Sequence, residues 1–223
     1  MTVAAKICGL TDAAAVAAAV ENGAAYVGFV FYGPSPRNIS PEKAAALTAS
    51  VPNSVQKVGL FVDPSDDLIR QVLAALPLDL IQLHGSEPPE RVRDIKKTFG
   101  LPVMKAIKID SAASIADASP YEGVADMLLF DAKEPKTMKN ALPGGNGLTF
   151  DWTLLADAKI KSRWMLAGGL NAENIAEAVR ISGAHIVDTS SGVEIEPGRK
   201  DPAAIKTFLM ATQAIETQKQ VET

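Results

Sequence analysis

The chain contains a single cysteine, Cys8, in the run Lys6-Ile7-Cys8-Gly9-Leu10-Thr11. On a strand, alternation puts Lys6 and Cys8 on the same face. A nearby ammonium lowers a thiol pKa and favours the thiolate, the form in which cysteine acts as base or nucleophile near neutral pH. Gly9 permits a tight turn that leaves the thiol uncovered. An acid–base partner stands at Asp131, behind the apolar Met127-Leu128-Leu129-Phe130. Partial desolvation at the end of an apolar strand raises a carboxyl pKa and lets the group deliver a proton. Both residues also have plainer readings, a small buried hydrophobe and a turn or helix-cap aspartate.

Arg37 lies in Gly33-Pro34-Ser35-Pro36-Arg37-Asn38. Two prolines stiffen this loop, and a planar guanidinium suits a carboxylate, although a solvated surface arginine has the same signature. His84, in Gln82-Leu83-His84-Gly85, could orient a substrate, share in proton transfer or be structural. His185 opens an apolar run, away from the expected site, and is assigned no function. Two histidines so far apart assemble no metal cluster, and the His-Glu-x-x-His spacing does not occur. Two turns are rich in glycine and serine: Leu166-Ala167-Gly168-Gly169-Leu170-Asn171 and Asp188-Thr189-Ser190-Ser191-Gly192. Glycines let backbone N–H groups approach an anion, hydroxyls add donors, and a helix N-terminus adds a favourable dipole. One Gly-Gly pair alone reads equally as a tight strand-to-helix turn. Two such turns on neighbouring strands point to phosphate, and so to a phosphorylated small molecule.

These residues need elements to hold them. Short apolar runs occur at Val3–Cys8, Tyr26–Phe31, Val55–Val62, Leu78–Leu83, Val103–Ile109, Met127–Phe130, Trp164–Ala167 and His185–Val187. Strands buried on both faces read this way, as parallel strands do. Amphipathic stretches follow them: Asp12–Asn22, Pro41–Ser50, Ser65–Leu76, Pro88–Phe99, Ser111–Ser119, Phe150–Asp157, Ala172–Ile181 and Pro202–Gln213. Thr11 or Asp12, Ser40 and Asn171 supply start signals; Gly23, Gly100 and Gly183 supply stops. Eight strand-plus-helix units predict a (β/α)8 TIM barrel, with a doubly wound open sheet as the rival. In a barrel the site lies at the carboxyl ends of the strands. The polar residues there are Cys8, Arg37, Asp63, His84, Lys108, Asp110, Asp131, Gly168-Gly169 and Asp188 to Gly192. The irregular stretch Ala132–Thr149, with its Gly144-Gly145-Asn146-Gly147 run, is long enough to be a lid.

Composition narrows the class further. The 223 residues carry 26 acidic and 22 basic side chains, a net charge of −4, which argues against holding nucleic acid mainly by charge. One cysteine excludes an internal disulfide framework and a cysteine-cluster zinc site. No apolar run approaches the roughly 18 residues that cross a bilayer, so no membrane role is expected. With no secretory leader in view, the expected compartment is the cytoplasm. No linker or composition shift divides the chain, so residues 1–223 are expected to form one barrel domain with a frayed tail at 214–223.

The ordered set of motifs resembles the phosphoribosylanthranilate isomerase family across nearly the whole chain. Its carriers are the Lys6–Thr11 run, Gly28-Phe29-Val30-Phe31 with Ser35-Pro36-Arg37, Gln82-Leu83-His84-Gly85, and Asp131. Phe150-Asp151-Trp152, Ala167-Gly168-Gly169-Leu170, Val187–Glu194 and Pro197-Gly198-Arg199-Lys200-Asp201 follow in order. The resemblance implies an Amadori rearrangement of N-(5′-phosphoribosyl)anthranilate in tryptophan biosynthesis. It implies Asp131 as general acid, Cys8 as general base and Arg37 on the anthranilate carboxylate. Gly168, Gly169, Ser190 and Ser191 would hold phosphate, with His84 and Asp188 as further substrate-binding residues. No metal or organic cofactor is implied, because the Schiff base formed from substrate is itself the electron sink. The family resemblance leaves monomer and homodimer both open. Two positions depart from the family pattern: Asn146, where Ser or Thr is commoner, and Thr189, where a small apolar residue is usual. Other readings on the same scaffold are an aminoaldose isomerase of histidine biosynthesis, which would use a carboxylate at the Cys8 position, and a metal-dependent pentose-phosphate epimerase. A silent phosphate-ligand sensor is a third, though binding alone needs neither Cys8 nor Asp131.

Overall fold

The structure is a computed structural model and describes residues 3–135, 137–138, 142–156 and 158–215. Eight strands run β1 (Ala4–Cys8), β2 (Tyr26–Val30), β3 (Gln56–Phe61), β4 (Leu80–Leu83), β5 (Val103–Ile109), β6 (Met127–Ala132), β7 (Trp164–Leu166) and β8 (Ile186–Thr189). They pair in chain order, all parallel, and β8 returns to β1, which closes the barrel. The open-sheet rival is therefore excluded.

Helices fill the connections: α1 (Ala13–Glu21), α2 (Pro41–Thr48), α3 (Asp66–Ala75), α4 (Pro89–Phe99), α5 (Ala112–Ala116), α6 (Thr153–Ala156), α7 (Ile175–Ser182) and α8 (Pro202–Gln213). Local chemistry sets their ends. Asp12, rather than Thr11, caps α1 by accepting the Ala15 N–H at 2.9 Å, and Ser40 caps α2 through the Lys43 N–H at 3.2 Å. Gly100 and Gly183 end α4 and α7 in the left-handed conformation that glycine adopts without steric cost. Asn171 does not cap α7 directly. Its Oδ1 accepts the N–H groups of Glu173 and Asn174, forming a turn one step before the helix.

Several expected boundaries move. The stretch Ser111–Ser119 yields only the short α5, followed by a 3-10 turn at Ser119–Tyr121. Phe150–Asp157 yields only α6, and residue 157 lies outside the described residues. From residue 216 onward the expected tail also lies outside them. Two strands run longer than their apolar cores. Pairing of Lys108 with Asp131 and of Ile109 with Ala132 extends β6 past Phe130, and β8 runs on through Asp188 to Thr189. Asp131 and Asp188 are therefore strand residues, and their side-chain directions are set by the sheet.

Alternation along the strands sorts the core into two layers. Ile7, Val27, Phe29, Ile81, Leu128 and Phe130 face the helices. Tyr26, Val58, Leu80, Met104, Met127, Leu129 and Met165 fill the barrel interior and form a floor beneath the carboxyl end. Among the described residues no helix is long and apolar enough to cross a membrane.

Candidate active site

The β1–β8 register places Lys6 opposite Asp188, and Lys6 Nζ donates to Asp188 Oδ1 at 2.9 Å inside the barrel. Cys8 follows on the same face and is buried at the mouth, opposite Gly28 of β2. A side chain at Gly28 would put its Cβ 3.0 Å from the Cys8 sulfur, so the glycine makes room for the thiol. The expected activation by Lys6 is corrected here. Burial pushes the Cys8 thiol above its ordinary pKa, and the opposing pull of Lys6 is offset by the carboxylate it already pairs with. Asp188 and Cys8 in turn hold the Lys6 ammonium above its ordinary pKa, overcoming burial, which works the other way.

Across the mouth, both carboxyl oxygens of Asp131 have a hydrogen-bond partner. Its Oδ1 takes the Ala132 N–H at 2.9 Å, and its Oδ2 lies 3.1 Å from His84 Nε2. On its far side His84 Nδ1 lies 2.8 Å from the amide nitrogen of Gln82, a residue with no solvent exposure. The sequence singled out Asp131 and His84; Gln82 entered only as part of the Gln82-Leu83-His84-Gly85 motif and was given no role.

Arg37 is 4% exposed, which removes the solvated-surface alternative. Its Nε and Nη2 donate to Glu194 Oε1 and Oε2, each at 2.8 Å, and Nη2 also reaches the Gly145 carbonyl at 3.0 Å. Glu194 belongs to a small hairpin after β8, β9 (Glu194–Glu196) with β10 (Arg199–Lys200). Lys200 faces Glu194 across that hairpin and donates to its Oε1 at 2.6 Å, and also to the Ser190 carbonyl and hydroxyl. The Ser190 hydroxyl donates on to the Cys8 carbonyl at 3.1 Å. Glu194 and Lys200 were given no role from the sequence. Arg37 and Glu194 are 157 residues apart, and only barrel closure brings them together.

The two glycine-rich turns also line the cleft. Gly168 (φ +91°) and Gly169 (φ +59°) follow β7 in left-handed conformations, with backbone of Leu148 packed against both. Ser190, Ser191 and Gly192 line it after β8. Thr189 satisfies its buried hydroxyl by donating to the Leu170 carbonyl at 2.6 Å. The described part of the long loop crosses the mouth. A Cβ on Gly144 would lie 2.6 Å from His84 Nε2, and one on Gly145 would collide with Arg37 Nη1. Residues 136 and 139–141 of that loop lie outside the described residues.

One cleft thus gathers Cys8, Arg37, His84, Asp131, Gly168, Gly169, Asp188, Ser190 and Ser191, with Val30, Tyr32, Leu60 and Val62 as its apolar side. Asp63, Lys108 and Asp110 do not line it, contrary to the sequence ring. Asp63 Oδ1 instead accepts the Ser86 N–H at 2.8 Å. Lys108 pairs with Glu134 and Asp110 with Lys133, each at 2.6 Å. Among the described residues no group of three or more His, Cys, Asp or Glu side chains could hold a metal ion.

Fold and cleft together define a (β/α)8-barrel protein with its titratable groups and glycine-rich turns at the carboxyl ends of the strands. The family model for N-(5′-phosphoribosyl)anthranilate (PRA) isomerase matches residues 5–211, and the chain belongs to that family. The N-(5′-phosphoribosyl)anthranilate isomerase of Rhodospirillum centenum is 56% identical over 215 residues, covering 96% of this chain and 100% of that protein. The crystal structure of phosphoribosyl anthranilate isomerase from Thermotoga maritima is 37% identical, covers 96% of this chain and 100% of its own, and superposes with a TM-score of 0.85. Another solved phosphoribosyl anthranilate isomerase, in complex with reduced 1-(o-carboxyphenylamino)-1-deoxyribulose 5-phosphate, is 35% identical with the same coverage and a TM-score of 0.82.

Proposed function

We propose that this cleft converts N-(5′-phosphoribosyl)anthranilate to 1-(2-carboxyphenylamino)-1-deoxyribulose 5-phosphate, an isomerase step of tryptophan biosynthesis. The observation that carries the residue roles is that Cys8, Asp131, Arg37 and the two glycine-rich turns all line one cleft. Asp131 is the general acid. It protonates the ribose ring oxygen, the C1′–O bond breaks, and the nitrogen lone pair forms a protonated Schiff base. The new positive charge acidifies the C2′ proton and favours the thiolate of Cys8, which offsets the effect of burial on that thiol. Cys8 removes the C2′ proton, the electron pair moves through to nitrogen, and the resulting enolamine tautomerises to the ketone.

The remaining residues position the substrate. Arg37 has two nitrogens committed to Glu194 and offers Nη1 to the anthranilate carboxylate. Gly168, Gly169, Ser190 and Ser191 hold the phosphate through backbone N–H groups and hydroxyls. His84 and Asp188 complete the ribose side. The reading requires no cofactor, nucleic acid or membrane. It places one barrel domain in the cytoplasm, working as a monomer or a homodimer. The test supplies purified protein with freshly made phosphoribosylanthranilate. Loss of anthranilate-type fluorescence without added cofactor supports the reading, and unchanged fluorescence removes it.

A further inference from the structure

Gln82 is an anomaly of the barrel interior. Its strand neighbour on the same face is Leu80, and Met104, Met127 and Leu129 share the barrel interior with it, as does the buried Lys6–Asp188 pair. The glutamine is buried there with no solvent exposure, and among the described residues its Oε1 finds no hydrogen-bond partner. A buried, half-satisfied amide is unfavourable for the fold. Its one contact is the donation from Nε2 to His84 Nδ1 at 2.8 Å.

We propose that Gln82 is a positioning residue that fixes the tautomer of His84, so that His84 presents Nε2–H to the acid Asp131. An amide N–H needs a lone pair to accept it, and Nδ1 supplies one only when it carries no proton. The proton of neutral His84 then sits on Nε2, 3.1 Å from Asp131 Oδ2. With the Ala132 N–H on Oδ1, each carboxyl oxygen meets one donor. When Asp131 gives up its proton, the carboxylate that forms is met by two hydrogen bonds already in place. A reversed amide would accept from Nδ1–H, leave Nε2 as an acceptor, and make His84 compete for the proton that Asp131 must deliver. The importance of the tautomer for turnover rests on the acid assigned to Asp131 above; the tautomer itself does not.

The chain has only two histidines, so nitrogen-15 labelling of histidine gives a readable long-range proton–nitrogen spectrum. His185 is exposed, and it precedes β8 at the opposite end of the barrel, so it serves as the internal reference. The expected spectrum of the parent protein near neutral pH shows His84 with an unprotonated Nδ1 and a protonated Nε2. Gln82→Met, close in length and without donors, is expected to abolish that fixed pattern. Gln82→Glu, which accepts where glutamine donates, is expected to place the proton on Nδ1. Turnover of Gln82→Met should fall roughly 10-fold with KM held within about twofold, a smaller loss than the ~10²–10⁴ expected for losing the acid itself. An Nδ1–H tautomer in the parent, or a spectrum unchanged in both variants, overturns the proposal. The tautomer is read in the parent protein and the acid from the turnover of Asp131→Asn, where near-normal turnover removes the acid and leaves the parent spectrum as it was, so the two readings fail independently.

Discussion

The ammonium of Lys6 lies 2.9 Å from Asp188 inside the barrel, one alternate position below Cys8; the lysine has no solvent exposure and the aspartate is buried at the cleft. The lysine that would activate the thiol is already neutralised by a carboxylate. Burial then dominates and pushes the Cys8 thiol above its ordinary pKa. Because the chain has one cysteine, alkylation by iodoacetamide reports on that group alone. Its rate should be low near neutral pH and rise with a midpoint above that of a free thiol. Lys6→Met should move the midpoint higher still, since it removes the cation and leaves Asp188 bare. A midpoint below the free-thiol value would overturn this account of the site. The same substitution breaks a buried ion pair, which costs about 3–5 kcal/mol, readable as a lower urea midpoint.

Cys8→Ser and Asp131→Asn test the two proton-transfer roles directly. Each substitution keeps nearly the same side-chain shape at a buried position beside the cleft. Turnover should fall by roughly 10²–10⁴-fold in each, while affinity for a product analogue changes far less. Near-normal turnover in either variant would remove the assigned role from that residue.

Glu194→Gln tests whether the hairpin orients the carboxylate site. The paired bonds at 2.8 Å fix the plane of the Arg37 guanidinium. With one acceptor oxygen replaced by a donor, Arg37 should lose that plane and KM should rise roughly tenfold, about 1.4 kcal/mol, with kcat less affected. Arg37→Lys should be no better, because an ammonium cannot reproduce the fork. An unchanged KM in both would show that the substrate carboxylate binds elsewhere.

The same glutamate carries a pH signature. Burial works to raise its pKa, but the bonds from Arg37 and Lys200 prevail, and the carboxyl is held below its ordinary value. A folded-state pKa below the unfolded one contributes stability that is present above the unfolded value and is lost as pH falls through the folded one. The stability advantage of the parent over Glu194→Gln should therefore be constant near neutrality and shrink on acidification past the ordinary carboxylate range. Urea midpoints measured as a pH series would show it, and a difference that grows toward acid would contradict the pairing.

The strand pattern was readable because a parallel barrel buries both faces, and Val103–Ile109 was located to the residue. The ends of β6 and β8 were not, because Asp131 and Asp188 continue the ladder with side chains that apolar periodicity ignores. The rim position of a residue was legible, but its partner was not. Lys108 and Asp110 sit at the expected height, yet Glu134 and Lys133 of the following loop neutralise them outside the cleft. Glu194 and Lys200 were hidden for the converse reason. Nothing local marks them, and they meet Arg37 and Ser190 only after the chain has closed on itself. Lys6 was placed correctly beside Cys8, but its electrostatic effect depended on Asp188, which lies 182 residues away.

Gly168→Ala addresses the phosphate wall. The residue stands at φ +91°, where an L side chain is strained, and its Cβ would lie 3.0 Å from the Ala132 nitrogen and 3.2 Å from the Leu148 carbonyl oxygen. Neither contact can yield as a flexible side chain would, since both are backbone. The substitution should therefore cost about 1–3 kcal/mol of stability and push the β7 turn away from the loop that crosses the cleft. If this turn holds the phosphate, competitive inhibition by inorganic phosphate should weaken along with substrate affinity. An exposed glycine in the same left-handed conformation, Gly123, provides the control, because a Cβ there meets nothing within 4 Å. Gly123→Ala should share the backbone strain and leave phosphate inhibition unchanged. Equal loss of inhibition in both variants would mean that the effect at Gly168 is global destabilisation, and the turn would lose its place in the phosphate site.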